Sequence, residues 1–223
     1  MPIYGKILKK VCFFLKQLSN CICEKEDKKL MINNDRGNVC RLDDKEKKKI
    51  DDIISRLKEA YPVAKRNNLD LISFLRDYYE FQIVEANLPN DITGYIMVDD
   101  NNYLDFKNFT THKIIVTNSN LLQYKNYIQK RRFIIAHEFA HYLLHKKENQ
   151  IQFAKRDTEH FNTKEEQEAE YFARSFLMPK EDIINVLSGK ENLSIPQKVD
   201  ELMKCFNVSE NKARYRLQEL KLI

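Results

Sequence analysis

The sequence predicts an α+β fold, with a short sheet laid down first and helices afterwards. Three observations carry this expectation. Segments rich in β-branched and aromatic residues fall within one stretch, 81–118, and the chain beyond residue 118 reads as helices alone. Only 4 glycines and 5 prolines occur in 223 residues, too few for the many tight turns of an all-β sandwich. Hydrophobic residues make up 43% and charged residues 32%, the balance of a globular domain with a substantial core.

Residues 1–40 read as an N-terminal extension. Ile7, Leu8, Val11, Leu15, Leu18 and Ile22 recur at helical spacing among Lys6, Lys9, Lys10 and Lys16, which predicts an amphipathic helix within about 3–22. Packing on the main domain or on a partner is favoured over contact with a membrane surface. The apolar run 11–15 is broken by Lys16 and is too short for an export signal or a membrane span. The chain is therefore expected to be cytoplasmic, with Cys12, Cys21, Cys23, Cys40 and Cys205 as free thiols. The stretch 33–38 (Asn-Asn-Asp-Arg-Gly-Asn) reads as a linker. It leads to a main domain over 41–188 and a helical subdomain over 189–223.

Along the main domain, a helix is expected over 43–66, with Ile50, Ile53, Ile54 and Leu57 on one face and its charged start in solvent. A second helix covers 69–79. Strands are expected over 81–84, 94–98 and 112–118, with turns at 89–91 and 99–102. Helices come next, over 124–146, 163–178, 181–187, 196–206 and 209–221.

The helix 124–146 contains the run His137-Glu138-Phe139-Ala140-His141. Residues four apart share a helical face, so both imidazoles project side by side with the separation one metal ion needs. Phe133, Ile134, Ile135, Ala136, Phe139, Ala140, Leu143 and Leu144 make this helix apolar nearly all round, hence buried. Two histidines and a glutamate inside it would be costly without partners, and a zinc ion with its water provides them. His145 is too far along the axis to share the ion, about 12 Å from His137 at 1.5 Å per residue. It is expected at the surface near the helix C-terminus. A longer zinc-binding extension of the motif also fails, because Leu144 and Lys147 stand where it needs Gly and His.

The third ligand is sought among Glu165, Glu166, Glu168 and Glu170 of the next helix. Glu166 and Glu170 share a side with Ala169, Ala173 and Leu177, small residues that allow close approach to Ala136 and Ala140. Glu168 points away from that side, and Glu165 is the reserve. Glu166 is the choice, although Thr163-Lys164-Glu165-Glu166 also fits a capping box in which Glu166 bonds back to its own helix.

The run 132–145 (Arg-Phe-Ile-Ile-Ala-His-Glu-Phe-Ala-His-Tyr-Leu-Leu-His), with Glu166 to Ala173 and Leu177-Met178-Pro179, resembles the ImmA/IrrE family of metallopeptidases. The resemblance covers about 45–223. It implies a small zincin-like domain in which one Zn2+ per chain is held in the gluzincin manner by His137, His141 and Glu166, with Glu138 as catalytic base. It further implies that Glu170, where the family usually has Asn, orients a ligating histidine. His160, Tyr142 and Tyr171 are candidates for stabilising the oxyanion. The strand bearing Ile114, Ile115 and Val116 would be the edge strand that aligns an extended substrate. The implied activity is narrow endoproteolysis of a helix-turn-helix repressor, which releases genes of a mobile element or a stress response.

A DNA-binding regulator is the rival reading. Val199, Leu202, Met203 and Phe206, the turn Asn207-Val208, and a helix bearing Lys212, Arg214, Tyr215 and Arg216 have helix-turn-helix proportions. The formal charge is only +5, from 38 basic and 33 acidic residues. The two signs are interspersed, which argues against direct DNA binding.

Overall fold

The computed structural model describes residues 42–89, 92–98, 113–145, 151–155 and 163–223, with backbone alone for 151–155. They belong to one compact unit, Cys40–Ile223. The amphipathic helix and linker expected within 1–40, with their four cysteines, lie outside the described residues.

Helix α1 (Asp44–Ala60) starts on a reciprocal cap. The Asp43 carboxylate accepts from the Glu46 amide at 2.7 Å, and the Glu46 carboxylate accepts from the Asp43 amide at 2.8 Å. Two amides that a helix start leaves orphaned are thereby satisfied. Ile50, Ile54 and Leu57 form its buried face. The helix stops at Ala60, short of the expected 66, because Tyr61 precedes Pro62 and is driven out of the α region. A 3-10 turn, Pro62–Lys65, takes over. Helix α2 (Leu71–Tyr79) is capped by Asp70, which accepts from Ser73 at 3.1 Å. Glu80, in the left-handed region at φ 60°, ends it.

Four strands make the sheet: β1 (Phe81–Ala86), β2 (Ile92–Val98), β3 (Lys113–Asn118) and β4 (Ile151–Lys155), in the order β1-β3-β2-β4. β1 runs parallel to β3, and the other two pairings are antiparallel. The sheet corrects two expectations. Strand β4 overturns the reading that only helices come after β3. Its Ile-Gln-Phe-Ala-Lys alternation is a strand pattern, but five residues form a stable strand only where a neighbour offers an edge, and β2 does. Strand β3 is not an edge: it is hydrogen-bonded on both sides, and Ile114, Ile115 and Val116 are each 0% exposed. Spatial order departs from chain order because the parallel pairing of β1 with β3 closes that flank. Ile114, Ile115 and Val116 are sheet core, and the edges among the described strands are β1 and β4.

Asn118 ties the end of β3 to the β1–β2 connection. Its side-chain amide donates to the Ile92 carbonyl at 2.7 Å and its oxygen accepts from Leu88 at 3.4 Å. A 3-10 turn, Ser119–Gln123, leads into α3 (Tyr127–Leu144). Helices α4 (Lys164–Leu177), α5 (Lys180–Leu187), α6 (Ile195–Phe206) and α7 (Glu210–Glu219) come after β4. Val199, Leu202, Phe206, Ala213 and Leu217 belong to the same hydrophobic core as Phe139 and Phe172. Residues 189–223, read from the sequence as a separate subdomain, thus share the core of the rest. Among the described residues no helix is long and apolar enough to cross a membrane.

Helix α3 lies between α4 and the sheet. Towards α4 the approach is made close by Ala136, Ala140, Ala169 and Ala173, all fully buried. Towards the sheet it is made close by Gly94 on β2. A Cβ there would stand 2.7 Å from Ile134 Cγ2 and 2.8 Å from the Val116 carbonyl oxygen, and 3.8 Å from Glu138 Oε1. Gly94→Ala is expected to cost about 1–3 kcal/mol, the usual range for overpacking, seen as a fall in Tm. An unchanged Tm would show that helix and sheet separate freely.

Candidate metal centre

The metal-binding face of α3 is set by helix geometry. His137 and His141 project from adjacent turns of one side. Their Nε2 atoms stand 3.1 Å apart and the ring planes cross at 77°. From α4, Glu166 reaches both: Oε2 lies 3.1 Å from His137 Nε2, and Oε1 lies 3.2 Å from His141 Nε2. One donor atom from each residue lies within 4.8 Å of the other two.

The capping alternative for Glu166 is half realised. Thr163 Oγ1 accepts from the Glu166 amide at 3.3 Å. The cap therefore uses the backbone of Glu166 and leaves its carboxylate to the imidazoles. Burial opposes the charge on that carboxylate, but its hydrogen bonds with His137 and His141 outweigh burial and hold its pKa down to about 2. Glu165, the reserve candidate, is exposed.

Glu138 is 0% exposed, and neither of its oxygens has a hydrogen-bond partner among the described residues. Burial pushes its carboxyl up to about 8, although His137 beside it pulls the other way. A buried carboxyl without partners is costly unless something else in the site engages it. The neighbouring donors have a related problem. With each ring proton on Nδ1, two Nε2 lone pairs and the Glu166 carboxylate face one another with an excess of acceptors and no proton between them. A divalent cation resolves that excess, and two imidazoles plus one carboxylate is a donor set of catalytic zinc with a position left open. The residues present fit the ion.

A layer of partners stands behind the ligands. Glu170 Oε2 lies 3.9 Å from His137 Nδ1, a buried nitrogen without a hydrogen bond among the described residues. Its other oxygen, Oε1, accepts from Arg174 Nη1 at 2.9 Å and from Lys212 on α7. Burial opposes the charge of Glu170, but Lys212 and Arg174 outweigh it and hold the carboxyl below its usual range. The extra charge of a glutamate at this position is thereby offset. Behind His141, its Nδ1 lies 3.1 Å from His145 Nδ1, and His145 Nε2 lies 2.8 Å from Glu168 Oε2. Two expectations fall with this. The His145 side chain is only 9% exposed, not at the surface, and Glu168 turns towards α3. A helical wheel assigns faces to one helix but does not say which parts of two helices meet. The i, i+4 spacing of His141 and His145 was the signal that could have revealed the contact.

The oxyanion candidates fare differently. The Tyr171 hydroxyl donates to Asp51 Oδ2 on α1 at 2.9 Å. The Tyr142 ring packs edge-on to Phe81 at 5.2 Å and stacks beside Phe139 at 6.4 Å, in the aromatic part of the core. His160 lies outside the described residues. A cleft of about 390 Å³, lined in part by Asp70, Glu85, Arg131, Arg132 and Asn207, shares no residue with that cluster.

No curated protein matches the chain. A peptidase-family model, described as IrrE N-terminal-like domain, matches residues 92–218. The match runs from β2 into α7 and takes in His137, Glu138, His141 and Glu166. With more than half of its length matched and a His-His-Glu cluster able to hold a metal folded within that span, the chain belongs to the peptidase family of IrrE N-terminal-like domains.

Proposed function

We propose that this protein is a zinc-dependent endopeptidase that cuts a helix-turn-helix repressor at one or a few sites. The observation that carries the reading is the convergence of His137, His141 and Glu166 beside a fully buried Glu138 that has no hydrogen-bond partner among the described residues. Zinc held by those three residues would supply Lewis acidity and make a water more acidic. Glu138 is then the base that takes the proton of the attacking water and hands it to the leaving amine. Its raised affinity for a proton suits that exchange near neutral pH.

An extended substrate segment adds to the sheet along β4, the edge beside β2, where Gly94 and Ala154 are paired. Glu138 Oε1 lies 3.8 Å from where a Cβ on Gly94 would stand, which supports bringing a scissile bond towards that carboxyl from the sheet side. The repressor as substrate is supported by the sequence likeness to ImmA/IrrE peptidases, and it places the reaction in the cytoplasm. Direct DNA reading by α7 is disfavoured by its own contacts. Arg216 is 3% exposed and donates to the Met178 carbonyl at 3.1 Å, and Lys212 is committed to Glu170.

One zinc per chain is expected, lost in His137→Ala and His141→Ala and weakened in Glu166→Gln. Elemental analysis finding full zinc in His137→Ala would end the metal assignment. Activity is tested by incubating the protein with a helix-turn-helix repressor encoded beside it and with a generic unfolded protein, each with and without chelator. Chelator-sensitive cleavage of the repressor alone is the expected result. Equal digestion of both would refute selectivity, and cleavage of neither would leave a protein that recruits the repressor without cutting it.

A further inference from the structure

We infer that His145, held by Glu168, is a positioning residue that fixes the tautomer of His141 and so sets how tightly the metal is bound. The inference rests on the proposed metal site and adds to it two residues that are not ligands.

Proton placement decides which tautomers the three side chains can adopt together. For His141 to ligate through Nε2, its ring proton must sit on Nδ1. That N–H is buried and needs an acceptor. The atom at 3.1 Å is His145 Nδ1, which accepts only if the proton of His145 is on Nε2. His145 Nε2 in turn lies 2.8 Å from Glu168 Oε2, and an ionised carboxylate only accepts. One arrangement therefore satisfies the whole chain. His145 Nε2–H donates to Glu168, His141 Nδ1–H donates to His145, and the lone pair of His141 Nε2 is left for the metal. Reversing any proton puts two donors or two lone pairs against each other.

The backbone makes the offset between the rings constant. The His145 amide donates to the His141 carbonyl at 3.0 Å, closing the last turn of α3. Side-chain exposures of 9% for His145 and 21% for Glu168 leave little room for water to replace either partner. The other ligand is supported differently, since Glu170 stands 3.9 Å from His137 Nδ1, beyond hydrogen-bond length. His141 is thus the ligand whose orientation is set by a closed chain.

The test uses the full chain and reads zinc affinity by competition with a chromogenic chelator, beside the Tm of the metal-free protein. His145→Ala is expected to weaken zinc binding about 10-fold or more, the usual effect of removing a partner behind a ligand. Glu168→Ala should weaken it in the same direction. Glu168→Gln should restore most of the affinity, because its amide oxygen still accepts from His145 Nε2. Nitrogen-15 spectra of the zinc-loaded protein should show the His141 proton on Nδ1. A His145→Ala zinc affinity within about twofold of the parent would overturn the inference, as would a His141 proton on Nε2. Should His145→Ala fail to fold, the two Glu168 variants keep both rings and carry the test, and equal affinity in parent, Ala and Gln proteins would overturn it. If the parent itself binds no zinc, the metal-site reading has failed. If the parent binds zinc and His145→Ala binds it equally, only the positioning role has.

Discussion

Glu138→Gln is expected to lower peptide hydrolysis by about 10²–10⁴-fold, the usual contribution of a positioned acid–base group, while zinc stays at one per chain. The carboxamide keeps the size of the side chain, so the packing between α3 and Gly94 survives. It cannot take the proton of the attacking water. Turnover of the repressor and zinc content, measured on the same preparation, check both halves. Loss of zinc together with activity would mean that Glu138 supports the site rather than acting in the reaction.

The same variant carries a signature in the metal-free protein. The Glu138 carboxyl is pushed up to about 8, against an ordinary value of 4.5. Between those values the folded chain keeps a proton that the unfolded chain has lost, so this group's contribution to stability falls as pH rises through the window. Glutamine has no such proton. From about pH 5 to about pH 8 the parent should lose more Tm than Glu138→Gln does. Equal pH dependence would show that the ionised carboxylate is already well accommodated.

Ending the chain after Gly189 is expected to abolish folding, and zinc binding with it. The sequence alone suggested that residues 189–223 are a helical subdomain of their own, whereas their apolar residues share the core of the rest. Val199, Leu202, Phe206, Val208, Ala213 and Leu217 are all buried in the common core. Arg216 bonds to the Met178 carbonyl, and Glu219 accepts from Arg174 at 3.3 Å. Burial of each large apolar side chain contributes about 1.5–3 kcal/mol. Losing several exceeds a large part of the about 5–15 kcal/mol by which a domain is stable. The truncated chain should show no cooperative thermal transition and no stoichiometric zinc. A retained transition with full zinc would show that α6 and α7 are dispensable to the core.

What the amino-acid sequence determined by itself was local. The spacing of His137 and His141 needs only a helix of 3.6 residues per turn, and the apolar residues around them already say that the helix is buried. The same reasoning favoured for the third ligand the face of α4 shared by Glu166 and Glu170, with Glu165 in reserve. The cap at Thr163 was likewise legible, because a cap is a contact between residues three apart. The tertiary structure decided what depends on pairing between distant segments. It placed β3 between β1 and β2, so Ile114, Ile115 and Val116 became core, and it made an edge strand of Ile151–Lys155. It turned the Glu166 carboxylate to the imidazoles while Thr163 kept the amide. It also brought Lys212 from α7 to Glu170, and Glu168 to His145. Helical periodicity fixes direction around one axis, but which side chains meet across two axes depends on where the helices cross, and that is set by the whole core at once.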